Sequence, residues 1–166
     1  LYEDMTIAAR WAVTTDDRSW IFALVGSRIL SSPTWHQSFV RGARAGRLLF
    51  VFQPEEAAPA LVYCSQSPIE LQRWTHVAVT CDGQVVRFWV NGEPDGVFAT
   101  SGRVRTSRAP LIIGNFFDPR LLTDFGGELR QNSSVNTTPY YAFDGGVDEL
   151  RISSVARTQF PLGGGR

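Results

Sequence analysis

Short apolar runs with a two-residue period recur along this chain, and nowhere do twelve consecutive residues sustain a helical period. Met5, Ile7, Ala9, Trp11 and Val13 alternate with Thr6, Ala8, Arg10 and Ala12, as in a half-buried strand. Further β-rich runs follow at Trp20–Val25, Leu48–Phe52, Ala60–Cys64, Thr75–Cys81, Val85–Val90, Gly96–Thr100, Pro110–Gly114 and Val147–Ser153. Turn dipeptides punctuate them: Asp82-Gly83, Asn91-Gly92, Asp95-Gly96 and Asp144-Gly145. Many short strands at this spacing predict an all-β antiparallel sandwich with little helix. At 166 residues the chain suffices for one domain, assigned to 1–162, with 163–166 as a frayed tail.

The best-defined unit runs from Trp74 to Gly92. Val77, Val79 and Cys81 share one face of the first strand, and Asp82-Gly83 supplies the positive φ that a tight turn needs. The return strand puts Val86, Phe88 and Val90 on one face, with Arg87, Trp89 and Asn91 on the other.

Trp74-Thr75-His76-Val77-Ala78-Val79-Thr80, then Asp82-Gly83, then Phe88-Trp89-Val90-Asn91-Gly92, resembles the central hairpin of the laminin-G-like domains. These are jelly-roll sandwiches of the concanavalin-A-like lectin type. Pro110-Leu111-Ile112-Ile113-Gly114 is similar to the family's next core strand, and the run Phe143–Ile152 to its closing strand. The resemblance spans most of residues 5–158 and implies fold far more than activity, because this fold hosts lectins, adhesion domains, lyases and glucanases. Two departures stand out. A strand that usually precedes the one at Met5 is missing or reduced to Leu1–Asp4. The stretch from Asn115 to Ala142 is longer than usual.

Several function classes are excluded by composition. Sixteen basic residues balance sixteen acidic ones with no basic stripe, so nucleic acid has no electrostatic footprint. All sixteen basic residues are arginine, which removes a Walker-type phosphate loop and Schiff-base chemistry. No apolar run approaches the ~20 residues of a membrane helix. Cys64 and Cys81 are compatible with one disulfide or with two buried thiols.

Catalysis lacks its constellations. Retaining glucanases hold two carboxylates about 5 Å apart across the scissile bond. Here acids stand side by side, as in Asp16-Asp17, Glu55-Glu56 and Asp148-Glu149, and neighbours on a strand point to opposite faces. Only His36 and His76 are available for a nucleophilic site, and no Gly-x-Ser-x-Gly elbow occurs. His76 is expected to be structural and His36 simply exposed. The expectation is that this is not an enzyme.

Asp148 shares parity with Leu150 and Ile152, so on a regular strand its carboxylate faces inward and must find donors, an arginine or a metal. The resemblance implies a structural calcium near the closing strand, with Asp148 as a ligand. The missing first strand argues against that cage.

For binding, the 115–142 connection carries the unusual material. Tyr140, Tyr141, Asn132, Asn136 and Asp124 offer flat aromatic faces beside planar hydrogen-bonding groups, as sugar recognition requires. Packing of Phe116, Phe117 and Phe125 onto the sandwich is the plainer account of the same residues. Asn132 and Asn136 also open glycosylation sequons. Trp35 and Trp89 are secondary contacts, with Trp89 on the face that the family often turns toward ligand. The expected function is a non-catalytic, extracytoplasmic (secreted, periplasmic or cell-surface) module recognising a carbohydrate or a protein. The alternative is an extrinsic accessory subunit docked on a larger, membrane-associated complex.

Overall fold

The computed structural model describes residues 5–12, 16–25, 45–56, 59–115, 143 and 145–160. Eight strands lie among them: β1 Met5–Trp11, β2 Arg18–Leu24, β3 Arg47–Phe52, β4 Leu61–Pro68, β5 Val77–Cys81, β6 Val85–Val90, β7 Glu93–Ala99 and β8 Ile112–Ile113. They form a five-stranded sheet in the order β4-β3-β2-β1-β8 and a three-stranded sheet in the order β5-β6-β7. Every pairing is antiparallel. This is the all-β sandwich that the alternation predicts, and no helix occurs among the described residues.

The core lies between the sheets. Ile7, Phe22, Leu24, Leu48, Phe50 and Phe52 face it from the larger sheet, and Val86 and Phe88 from the smaller. Aromatic rings carry the packing from one layer to the other. Phe52 stacks on Tyr63 at 6.2 Å, Tyr63 meets Phe98 at 5.9 Å, and Phe98 meets Phe88 edge-on at 6.1 Å. Each such pair adds about 0.5–1.5 kcal/mol beyond the area it buries. The larger sheet is apolar on its other face as well, where Ala9, Trp11, Ala23, Val25, Leu49 and Val51 are all buried. That two-sided burial explains why Leu48–Phe52 reads as an unbroken apolar run instead of an alternating one.

The turns follow their residues. Asn91 (φ 49°) and Gly92 (φ 83°) both occupy the left-handed region that a two-residue hairpin joining β6 to β7 needs. Gly83 (φ 90°) turns the chain from β5 to β6, as expected. The carboxylate of Asp82 steadies this bend by accepting from the amides of Gln84 (2.9 Å) and Val85 (2.7 Å).

Two expectations are corrected. Asp95-Gly96 is not a turn, because it lies inside β7, beside a register shift between Arg87 and Trp89 on β6. Asp95 is buried and its carboxylate accepts from the amide of Ser67 on β4 (3.0 Å), which ties the two sheets together. Val147–Ser153 is not a strand. Glu149 sits at φ 51°, which breaks an extended path at its middle, and Val147, Leu150 and Ile152 are left exposed. Cys64 and Cys81 are not bridged to each other, so the disulfide alternative is not the one observed. Burial pushes the Cys81 thiol pKa up.

Candidate functional site

Three places in the described structure carry residues relevant to recognition. The first is the outer face of the three-stranded sheet. The parity expected for β6 holds, with Phe88 in the core and Trp89 on the opposite face. Trp89 is nonetheless only 7% exposed. Phe160 packs on its ring at 5.2 Å and reaches His76 at 5.6 Å. Its indole N–H donates to the Thr80 hydroxyl at 3.4 Å. Phe160 therefore covers much of the Trp89 indole. His76 is exposed, with its amide donating to the Asn91 side chain (3.0 Å).

The second place is Asp148, where the inward carboxylate is also corrected. Asp148 is exposed, and its carboxylate accepts from the adjacent amide of Glu149 at 2.8 Å. With no ladder partner among the described residues, strand parity does not govern where it points. No three side chains of His, Cys, Asp or Glu gather to hold a metal among the described residues. Trp35, Asp124, Asn132, Asn136, Tyr140 and Tyr141 lie outside the described residues.

The third place was not singled out by sequence reasoning. Asp16 and Asp17, just before β2, face Arg105, Thr106, Ser107 and Arg108 across an open cleft of about 480 Å³. The main chain builds it. Ser19 donates its hydroxyl to the carbonyl of Arg105 at 2.6 Å, and the amide of Arg105 donates to the carbonyl of Gln53 at 2.8 Å. The amide of Arg108 donates to the Asp17 carboxylate at 3.1 Å, and that of Ala109 to the Ser107 hydroxyl at 2.9 Å. Arg10 reaches the carbonyl of Ser107 at 3.5 Å. Beneath the rim, Arg18 lies over the Trp11 ring at 5.6 Å, and its Nε is buried without a hydrogen-bond partner.

The side chains on the rim are little used by the fold. Arg105 makes one long contact, 3.5 Å, to the carbonyl of Asp16. Arg108 is exposed and its guanidinium forms no ion pair among the described residues. The Asp16 carboxylate is 86% exposed and stands 3.9 Å from Arg18. The local signal for this cleft is Arg103-Val104-Arg105-Thr106-Ser107-Arg108, three arginines and two hydroxyls in six residues of a connection. Its meeting with Asp16-Asp17, some ninety residues away, is a product of the fold.

The two-sheet antiparallel sandwich is the architecture of the concanavalin-A-like class. A family model described as the concanavalin A-like lectin/glucanases superfamily, in its laminin G group, matches residues 3–160. The chain belongs to that family. A solved structure of an S-layer domain-containing protein from Clostridium thermocellum is similar at 16% identity and a TM-score of 0.32, over 95% of this chain and 60% of that one. No curated protein matches this chain.

Proposed function

We propose that this domain is a non-catalytic recognition module acting outside the cytoplasm, with a carbohydrate as its first class of ligand. The observation that carries this reading is the cleft. Fixed backbone holds guanidinium, carboxylate and hydroxyl groups at one rim, and no apolar side chain lines it. Such an array binds polar, hydroxyl-rich molecules through directional hydrogen bonds. Membership of a lectin/glucanase superfamily supports it. No described helix is long and apolar enough to cross a membrane.

The 115–142 connection, with Asp124, Asn132, Asn136, Tyr140 and Tyr141, is a second proposed contact region, and Trp35 a third, on the strength of their composition. Replacing residues 118–138 by a short Gly-Ser bridge is expected to preserve a cooperative melt. It is expected to weaken ligand or partner association at least tenfold, about 1.4 kcal/mol. Unchanged association would remove that region from the reading.

A docking role in a larger assembly is the second reading, and one observation favours it. Trp74 is 74% exposed, and Val147, Leu150, Ile152 and Val155 are exposed along one segment. Apolar side chains gathered in this way mark protein contacts. Purification from the native source separates the two readings. Co-purifying subunits support docking, whereas retention on a glycan matrix without partners supports carbohydrate recognition.

A further inference from the structure

We infer that the cleft between Asp16-Asp17 and Arg105–Arg108 takes a uronate-type sugar, a hydroxylated ring bearing one carboxylate. The inference rests on the recognition reading above and deepens it.

The division of labour in the cleft is the starting point. Residues 103–109 are held by main-chain groups: the Arg105 amide on Gln53, the Arg105 carbonyl on Ser19, and the Arg108 amide on Asp17. The guanidinium groups of Arg105 and Arg108 contribute almost nothing to that frame, as one makes a single 3.5 Å contact and the other is exposed. Two planar forks on a fixed backbone match a carboxylate, because a guanidinium pairs both of its oxygens with parallel N–H donors.

The opposite rim decides what else the ligand carries. Asp16 is an exposed acceptor with no close donor among the described residues, since its contact to Arg18 is 3.9 Å long, and across from it the exposed Thr106 hydroxyl can both donate and accept. Carboxylate acceptors take hydrogen bonds donated by sugar hydroxyls. They also repel a ligand that is anionic all round, which disfavours heavily sulfated chains and phosphate polymers. The chain's net charge of zero adds no long-range pull toward polyanions. The cleft volume of about 480 Å³ falls within the ~300–1,000 Å³ of small-molecule sites and is open enough to admit an internal unit of a longer chain.

The test compares an oligogalacturonate tetramer with its fully methyl-esterified form, by calorimetric titration at fixed ionic strength. The two share one sugar frame and differ in the carboxylate. The acid form is expected to bind at least tenfold more tightly. Arg108→Gln and Arg105→Gln are each expected to weaken the acid form at least fivefold, with no change for the ester. Arg108→Lys should recover part of the loss, because it restores charge without the fork. Both glutamine variants keep the backbone bonds that hold the segment, and an unchanged melting temperature checks this. If Arg105→Gln fails to fold, Arg108→Gln alone decides. Equal affinity for acid and ester, no binding of either, or full affinity in Arg108→Gln would each overturn the inference. If another glycan or a protein binds regardless of these arginines, the recognition module stands and the cleft falls.

Discussion

Strand β6 and the segment 147–153 have much the same kind of sequence. Val85-Val86-Arg87-Phe88-Trp89-Val90 and Val147-Asp148-Glu149-Leu150-Arg151-Ile152-Ser153 both mix apolar and charged residues in a short run. One is the centre of a three-stranded ladder with Val86 and Phe88 wholly buried. The other pairs with no described strand and leaves Ile152 59% exposed. The difference lies in what flanks each run. Tight hairpins at Gly83 and at Asn91-Gly92 bring a partner strand to both edges of β6. The later segment follows Gly145-Gly146 and breaks at Glu149. Alternation marks a surface that suits a sheet, and a local turn is what delivers the sheet.

Substitutions in the two regions put numbers on this contrast. Phe88→Ala is expected to cost about 3–5 kcal/mol in denaturant unfolding, the range for emptying a large core site. A loss below 1 kcal/mol would mean the ring is not in the core. Asp95→Ala should cost about 1–3 kcal/mol, because the Ser67 amide then loses its acceptor where β4 meets β7.

A pH test probes the same hairpin from its turn. Amides of Gln84 and Val85, then Arg87, hold the Asp82 carboxyl below its usual range. A lowered folded-state pKa means stability that is present above the unfolded value of about 3.9 and lost as pH falls through the folded one. Asp82→Asn should therefore melt at a lower temperature than the parent at neutral pH, with the gap closing below about pH 4. A gap that persists in acid would assign the effect to something other than the charge. Ile152→Ser should do least, within about 0.5 kcal/mol of the parent. A loss comparable to that of Phe88→Ala would show that 147–153 is a buried strand after all.

The same contrast explains what was legible in the sequence. The central hairpin was readable because its signals are local: period-two faces at 77, 79 and 81 and at 86, 88 and 90, closed by glycine-bearing turns. The misplacement of Asp95-Gly96 came from reading a bulge dipeptide as a turn, and both use the same backbone freedom of glycine. Trp89 was assigned to the correct face of β6, but its cover, Phe160, lies seventy residues downstream and no periodicity announces it. Asp148 was expected inward because parity was applied to a segment that pairs with no described strand. The cleft was illegible for a further reason: Asp16-Asp17 and Arg105–Arg108 are each unremarkable pieces of connection, and their chemistry exists only once Ser19 and Gln53 hold them together.

The central claim is recognition without turnover, and a polysaccharide panel that reads retention and product release together tests it most directly. Affinity electrophoresis through embedded acidic and neutral polysaccharides should show retardation by at least one acidic polymer. Reducing ends and unsaturated products should stay at background after prolonged incubation of the same polymers. Release of either product, abolished by a single acid-to-amide substitution, would contradict the account and make this domain an enzyme.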